Sequence, residues 1–214
     1  GMIGSWVSLI DKESLSLNKE WKLKADFEMI PAIMLFKNYF LQSSVLYTRD
    51  CISNFQFKEG MEIGEDYLIW LQIIEKYKAW NIQEPLVYYR IHDQGVTKKY
   101  SLETIKKEKE IFDIQLRKLG IEPTKKQLNL HQSIKTKGKI IDYKTLKETE
   151  KWLLKIISTN EESDTYDKKM LNRVVFDRWL KVCYKARDLH IKMIFCLISS
   201  QLSTNFLKSY LLNK

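Results

Sequence analysis

The chain has 214 residues, 44% of them hydrophobic and 12% aromatic, which is enough for a buried core and too apolar for a disordered chain. Three widely spaced cysteines, Cys51, Cys183 and Cys196, exclude a disulfide framework, and no Cys/His cluster has zinc spacing, so the sequence reads as a protein of a reducing compartment. The formal charge of +9 sits in one half: residues 1–100 carry 12 Lys+Arg against 13 Asp+Glu, and residues 101–214 carry 24 against 14, a composition shift that marks a boundary.

Gly1 before Met2 reads as a residue left by tag removal and is set aside. The first 20 residues hold no basic start followed by an apolar run, and the most apolar short run, Met193–Ile198, is far below the ~18 residues of a membrane span. The expectation is a cytoplasmic protein, soluble or peripheral at the inner face of the membrane. Trp6 to Ile10 read as a short strand, and residues 11–25 as a polar loop. Phe27 to Tyr39 read as a helix with Phe27, Ile30, Met34 and Phe36 on one side, Pro31 being tolerated near its start. Ser43 to Tyr47 form a strand candidate, and residues 54–64 a loop.

A helix follows from Glu65. Tyr67, Trp70, Leu71 and Ile74 fall at i, i+3, i+4 and i+7, and Leu68, Ile69 and Ile73 widen the stripe. Two carboxylates, Glu65 and Asp66, open this helix directly after Gly64, where the dipole and free N–H groups favour anions. Either could serve simply as an N-cap. The dipole is expected to hold the Asp66 pKa low. Trp80 reads as a packing aromatic or as a platform for a sugar ring. Pro85 forces an extended entry, after which Leu86, Tyr88, Arg90 and His92 share one face of a strand and Val87, Tyr89 and Ile91 the other. Residues 93–99 read as a basic loop, either a solvated turn or a cover for a bound anion.

From Ser101 the pattern is helical throughout. Gly120 is placed to end the first helix, Pro123-Thr124 opens a second, and Leu146 to Ile157 define a third. Met170 to Tyr184 and a most apolar segment from Ile191 complete five helices of an antiparallel array. His131 and His190 lie among apolar helical neighbours and receive no role. The lysines are by default solvated helix faces, though their excess suits an anionic partner such as a phospholipid surface or a pyrophosphate-linked acceptor. No motif supports nucleic acid as a partner.

Glu65-Asp66-Tyr67 with Trp70-Leu71, then Glu84-Pro85-Leu86 and Tyr89-Arg90-Ile91-His92, resemble, in order, the acceptor half of glycosyltransferase family 2, GT-A fold. The resemblance implies inverting transfer of a sugar from a nucleotide-sugar to a glycan or lipid-linked acceptor, with Asp66 of the Glu65-Asp66 pair as general base. It implies His92 as a contact to metal or diphosphate, with Arg90 and Lys98 sharing the leaving-group charge. Ser43, Ser44 and Trp70 become acceptor-side candidates, the two serines also reading as ordinary strand-start residues.

The resemblance covers residues 1–99. No glycine-rich loop, no early strand-turn of the donor half and no Asp-x-Asp occurs in the 214 residues. A divalent ion, Mg or Mn, needs close-set carboxylates to bridge it to the nucleotide diphosphate, so neither metal nor nucleotide-sugar is expected to bind this chain tightly. The fold expectation is therefore α/β, a partial GT-A-like sheet with helices over 1–99, followed by an all-α extension over 100–214. A sheet lacking its donor half should expose apolar surface and self-associate. The competing reading is a non-catalytic scaffolding module with a GT-A remnant and a basic helical interaction domain.

Overall fold

A computed structural model of the chain describes residues 1–53, 63–92, 101–135 and 142–211. The fold is mixed α/β and divides into two compact units, Gly1–Ile111 and Phe112–Lys214.

The first unit is built on β1 (Met2–Ile10), the strand that every other strand of the four-stranded sheet pairs with. Met2, Trp6, Val7 and Leu9 are buried, the aromatic and aliphatic content expected of a strand covered by its neighbours. The sequence locates this strand but starts it late, at Trp6. On one side of β1, β2 (Ser16–Trp21) and β3 (Leu46–Tyr47) run antiparallel to it, pairing Val7 with Trp21 and Met2 with Tyr47. On the other side β4 (Ala79–Arg90) runs parallel, from Met2↔Ala79 to Ile10↔Arg90. The β1–β4 register shifts at Trp6, which lies opposite Pro85. A proline has no N–H to give the ladder, so it is found at such irregularities.

The expected loop over 11–25 contains β2 instead. The Asp11 carboxylate accepts from the N–H groups of Glu13 and Leu15, both at 2.9 Å, and this folds residues 11–15 into a turn. The turn reverses the chain, so a polar, exposed segment pairs with β1 although it has no apolar alternation of its own. The expected helix over 27–39 is also shorter. A 3-10 turn at Phe27–Met29 leads into α1 (Ile30–Met34), with Pro31 in its first turn. Leu35, Phe36, Tyr39 and Phe40 beyond it are buried as irregular chain. Two tyrosine hydroxyls hold this region, Tyr39 donating to the Leu23 carbonyl and Tyr67 to that of Met34. Burial pushes the Tyr39 pKa up to about 12. The strand candidate at 43–47 resolves into a 3-10 turn, Gln42–Ser44, and the two residues of β3. After α2 (Arg49–Ile52), α3 (Glu65–Lys76) buries Tyr67, Ile69, Trp70 and Ile73.

Close packing fixes the sheet at one point. A Cβ on Gly4 would lie 2.1 Å from Oδ1 of Asn81, whose amide nitrogen donates to the Tyr39 carbonyl at 3.2 Å. A glycine is required there so that β1 and β4 can admit this buried amide.

The second unit is helical. The division falls within α4 (Ser101–Leu119), beyond the compositional boundary at residue 100. Then follow α5 (Lys125–Lys135), α6 (Tyr143–Ser163), α7 (Lys168–Lys185), α8 (Ile191–Ser199) and α9 (Gln201–Leu211). Gly120 ends α4 with φ +101°, the left-handed conformation glycine takes at a helix C-terminus. Asp142 and Asp167 cap α6 and α7 by accepting from the N–H groups of Thr145 (2.7 Å) and Met170 (2.8 Å). Phe112, Leu116, Leu146, Leu153, Ile156, Val175 and Trp179 form the core. His131 is part of it, its Nδ1 accepting from the Trp152 indole N–H at 3.1 Å.

Candidate functional site

The candidate site is built around the first turn of α3. Gly64, at φ +80°, is the N-cap residue, and no side chain caps the helix. Neither Glu65 nor Asp66 therefore serves as the N-cap. Asp66 is one turn-position further in and partly buried. Its Oδ1 accepts from the N–H of Tyr67 at 2.7 Å and its Oδ2 from the side-chain amide of Asn38 at 3.1 Å. Asn38 is itself fixed, since its own Oδ1 accepts from the N–H of Phe40 at 3.0 Å. Both carboxylate oxygens of Asp66 are thus held from two elements, with Tyr67 buried behind them.

The electrostatics differ from expectation. The helix dipole was expected to keep the Asp66 pKa low, yet it is raised. Burial is the largest cause, followed by the hydrogen bond from Tyr67, which lowers it, then the neighbouring charge of Glu65, which raises it, and the bond from Asn38, which lowers it. Desolvation wins because the side chain is folded inward against the chain between α1 and β3, where the cost of a charge removed from water exceeds what the first turn of the helix returns. A held carboxylate with a raised pKa is suited to accept a proton.

The remaining candidates make their contacts elsewhere. Trp70 is 1% exposed, with its ring 6.1 Å from that of Tyr47; it is a core residue, and an acceptor cannot reach it. The physical reason is helical phase: one turn beyond Asp66, position 70 points into the apolar stripe that α3 buries. Ser44 is also structural, its hydroxyl donating to the Leu41 carbonyl (2.9 Å) and accepting from the N–H of Ser5 (3.4 Å). Ser43 is exposed in the same turn. Arg90 is expected beside His92 on one face, but its guanidinium Nη1 donates to the carbonyls of Asp11 (2.9 Å) and Lys12 (3.1 Å) and to Oγ of Ser14 (3.0 Å). It clamps the β1–β2 turn. His92 is exposed just beyond β4. Lys98 and the basic loop over 93–99 lie outside the described residues. Trp80 donates from its indole N–H to the Ala25 carbonyl at 3.2 Å while 38% exposed, which fits a packing aromatic.

No family model, no curated protein and no solved structure matches this chain.

Among the described residues no group of three or more His, Cys, Asp or Glu side chains is arranged to hold a metal ion. Among those residues His92 belongs to no such group. No described helix is long and apolar enough to cross a membrane. Sequence reasoning missed Asn38. The signal was the polar pair Lys37-Asn38 interrupting a buried, apolar run from Leu35 to Phe40.

Proposed function

We propose that the first unit is the acceptor side of a family 2 glycosyltransferase of GT-A fold, and that Asp66 is its general base. The observation that carries this reading is the Asp66 carboxylate itself: held by Asn38 and Tyr67, raised in pKa by burial, and not used as the helix cap. A carboxylate with no catalytic task would be expected at the cap or in water. The ordered resemblance of Glu65-Asp66, Glu84-Pro85-Leu86 and Tyr89-Arg90-Ile91-His92 supports the family reading, and the held carboxylate supports Asp66 as its base.

In the reaction an acceptor hydroxyl oxygen forms a bond to the anomeric carbon as the bond from that carbon to the diphosphate oxygen breaks. The hydroxyl proton passes to Asp66. The hydroxyl pKa lies far above neutrality, so transfer comes late, when the oxygen has become acidic through bond formation. Asn38 and the Tyr67 N–H orient the two Asp66 oxygens, and Glu65 disfavours full ionisation of its neighbour.

The test supplies a family 2 donor half, in cis or as a co-expressed fragment, and measures sugar transfer with and without Asp66→Asn. Transfer by the assembled enzyme that collapses in the variant, with donor affinity retained, supports the assignment. Full activity of the variant ends it.

A further inference from the structure

Helix α8 is apolar around its whole circumference, with one charged residue, Lys192, in the sequence IKMIFCLIS. A helix of that composition is ordinarily covered on all sides or in contact with lipid. Here only one side is covered. Cys196 is fully buried, with Met193 and Leu197 half-buried beside it, toward α6, α7 and α9. On the opposite side Ile191, Ile194, Phe195 and Ile198 are spaced i, i+3, i+4 and i+7, and they are 80%, 50%, 65% and 73% exposed. Four large apolar side chains in one continuous stripe are not scattered surface residues.

The segment that carries the stripe is rich in cations. From Asp177 to Lys214 the sequence holds seven Lys or Arg side chains against two carboxylates, Asp177 and Asp188, a net of +5, and of the cations Arg187 and Lys192 lie next to or in α8 and are exposed. Just ahead of α8 in the chain Tyr184 is 69% exposed, and the Arg187 guanidinium lies 4.8 Å from the centre of its ring. An apolar stripe flanked by cations and an amphipathic aromatic is the composition of a helix lying in a lipid interface.

We propose that this stripe docks the protein on an anionic lipid bilayer, with α8 lying in the plane of the surface and its four side chains entering the headgroup–acyl boundary. A second copy of the chain fits the patch less well. Four partly exposed side chains offer on the order of 500 Å², below the ~800 Å² per partner of a stable dimer. A two-fold contact would also bring two cationic surfaces together. The proposal rests on the helical unit alone and is independent of the transferase reading.

The test uses the full chain and vesicles of phosphatidylglycerol with phosphatidylcholine, against vesicles of phosphatidylcholine alone. The wild-type chain should sediment with the anionic vesicles and release as salt rises past physiological strength. Ile191→Ser with Ile198→Ser should weaken binding about a hundredfold, roughly tenfold for each apolar side chain withdrawn from the lipid. Its melting temperature should not fall, because both side chains are exposed. Phe195→Trp should shift its emission to the blue on anionic vesicles only. Absent binding at low salt, or equal binding by the double variant, overturns the proposal. So does a double variant that dissociates an oligomer of the chain while vesicle binding persists, since the stripe is then an interface between copies.

Discussion

Asp66→Asn separates a base from a structural carboxylate, because the structure gives the two roles different consequences. An asparagine keeps the shape but turns one oxygen into a donor. Asn38 cannot rotate to compensate, since its Oδ1 is engaged by the Phe40 N–H, so the variant loses the bond from either Asn38 or Tyr67. That loss costs about 1 kcal/mol. In the opposite direction, the variant removes a carboxylate whose charged form is disfavoured by burial. Because the folded pKa is raised, the favourable contribution of Asp66 is complete below the ordinary Asp range of about pH 4 and is lost as pH rises through the folded value. The variant should therefore be slightly less stable than wild type in acid and should gain on it steadily toward neutrality. Urea unfolding of both proteins across that range measures the difference, which should stay within about 1 kcal/mol, or about 4 °C in melting temperature. Turnover of the enzyme assembled with its donor half should fall by about 10²–10⁴. A variant that loses several kcal/mol, with activity tracking the folded fraction, would refute the reasoning, as would a stability difference that is flat with pH.

Arg90→Ala should destabilise the first unit by about 1–2 kcal/mol by freeing the β1–β2 turn, read by urea unfolding; unchanged stability with lost donor binding in the assembled enzyme would restore the diphosphate role. Gly4→Ala should cost about 2–3 kcal/mol or prevent folding, because its Cβ meets the buried Asn81 amide; a normal melting curve would show that the sheet can shift. Trp152→Phe should cost about 1–3 kcal/mol by removing the indole N–H that donates to His131 in the helical core, measured on the same thermal scale.

Much of the fold is local enough to be read in the chain. The stripe Tyr67, Trp70, Leu71 and Ile74, widened by Leu68, Ile69 and Ile73, marks α3, whose buried residues are Tyr67, Ile69, Trp70 and Ile73; Gly120 ends α4, and the strand ending in Tyr89-Arg90 is marked by alternation after Pro85. The elements that were misread share a cause. β2 is polar and exposed, so no periodicity announces it; it forms because Asp11 folds a turn and β1 offers an open edge. The segment after Met34 is as apolar as a helix, yet Leu35 to Phe40 are consumed by packing and by the carbonyls that Tyr39 and Tyr67 bind, and the helix stops. Apolar content signals burial and is silent on backbone conformation when the partners lie far along the chain.

The site divides the same way. The sequence by itself determined that two carboxylates open an apolar helix, that an Arg and a His follow a proline-led strand, and that all excess cations belong to the second half. Spacing and charge are properties of the chain, and they need no neighbours. Only the tertiary structure decided that Asp66 is held by Asn38, 28 residues away, that burial outweighs the dipole at its carboxyl, that Trp70 is core and that Arg90 is spent on a turn. It likewise decided that one side of α8 is left uncovered. Each of these depends on which groups are removed from water, and desolvation is fixed by the packed neighbours, which the order of residues does not display.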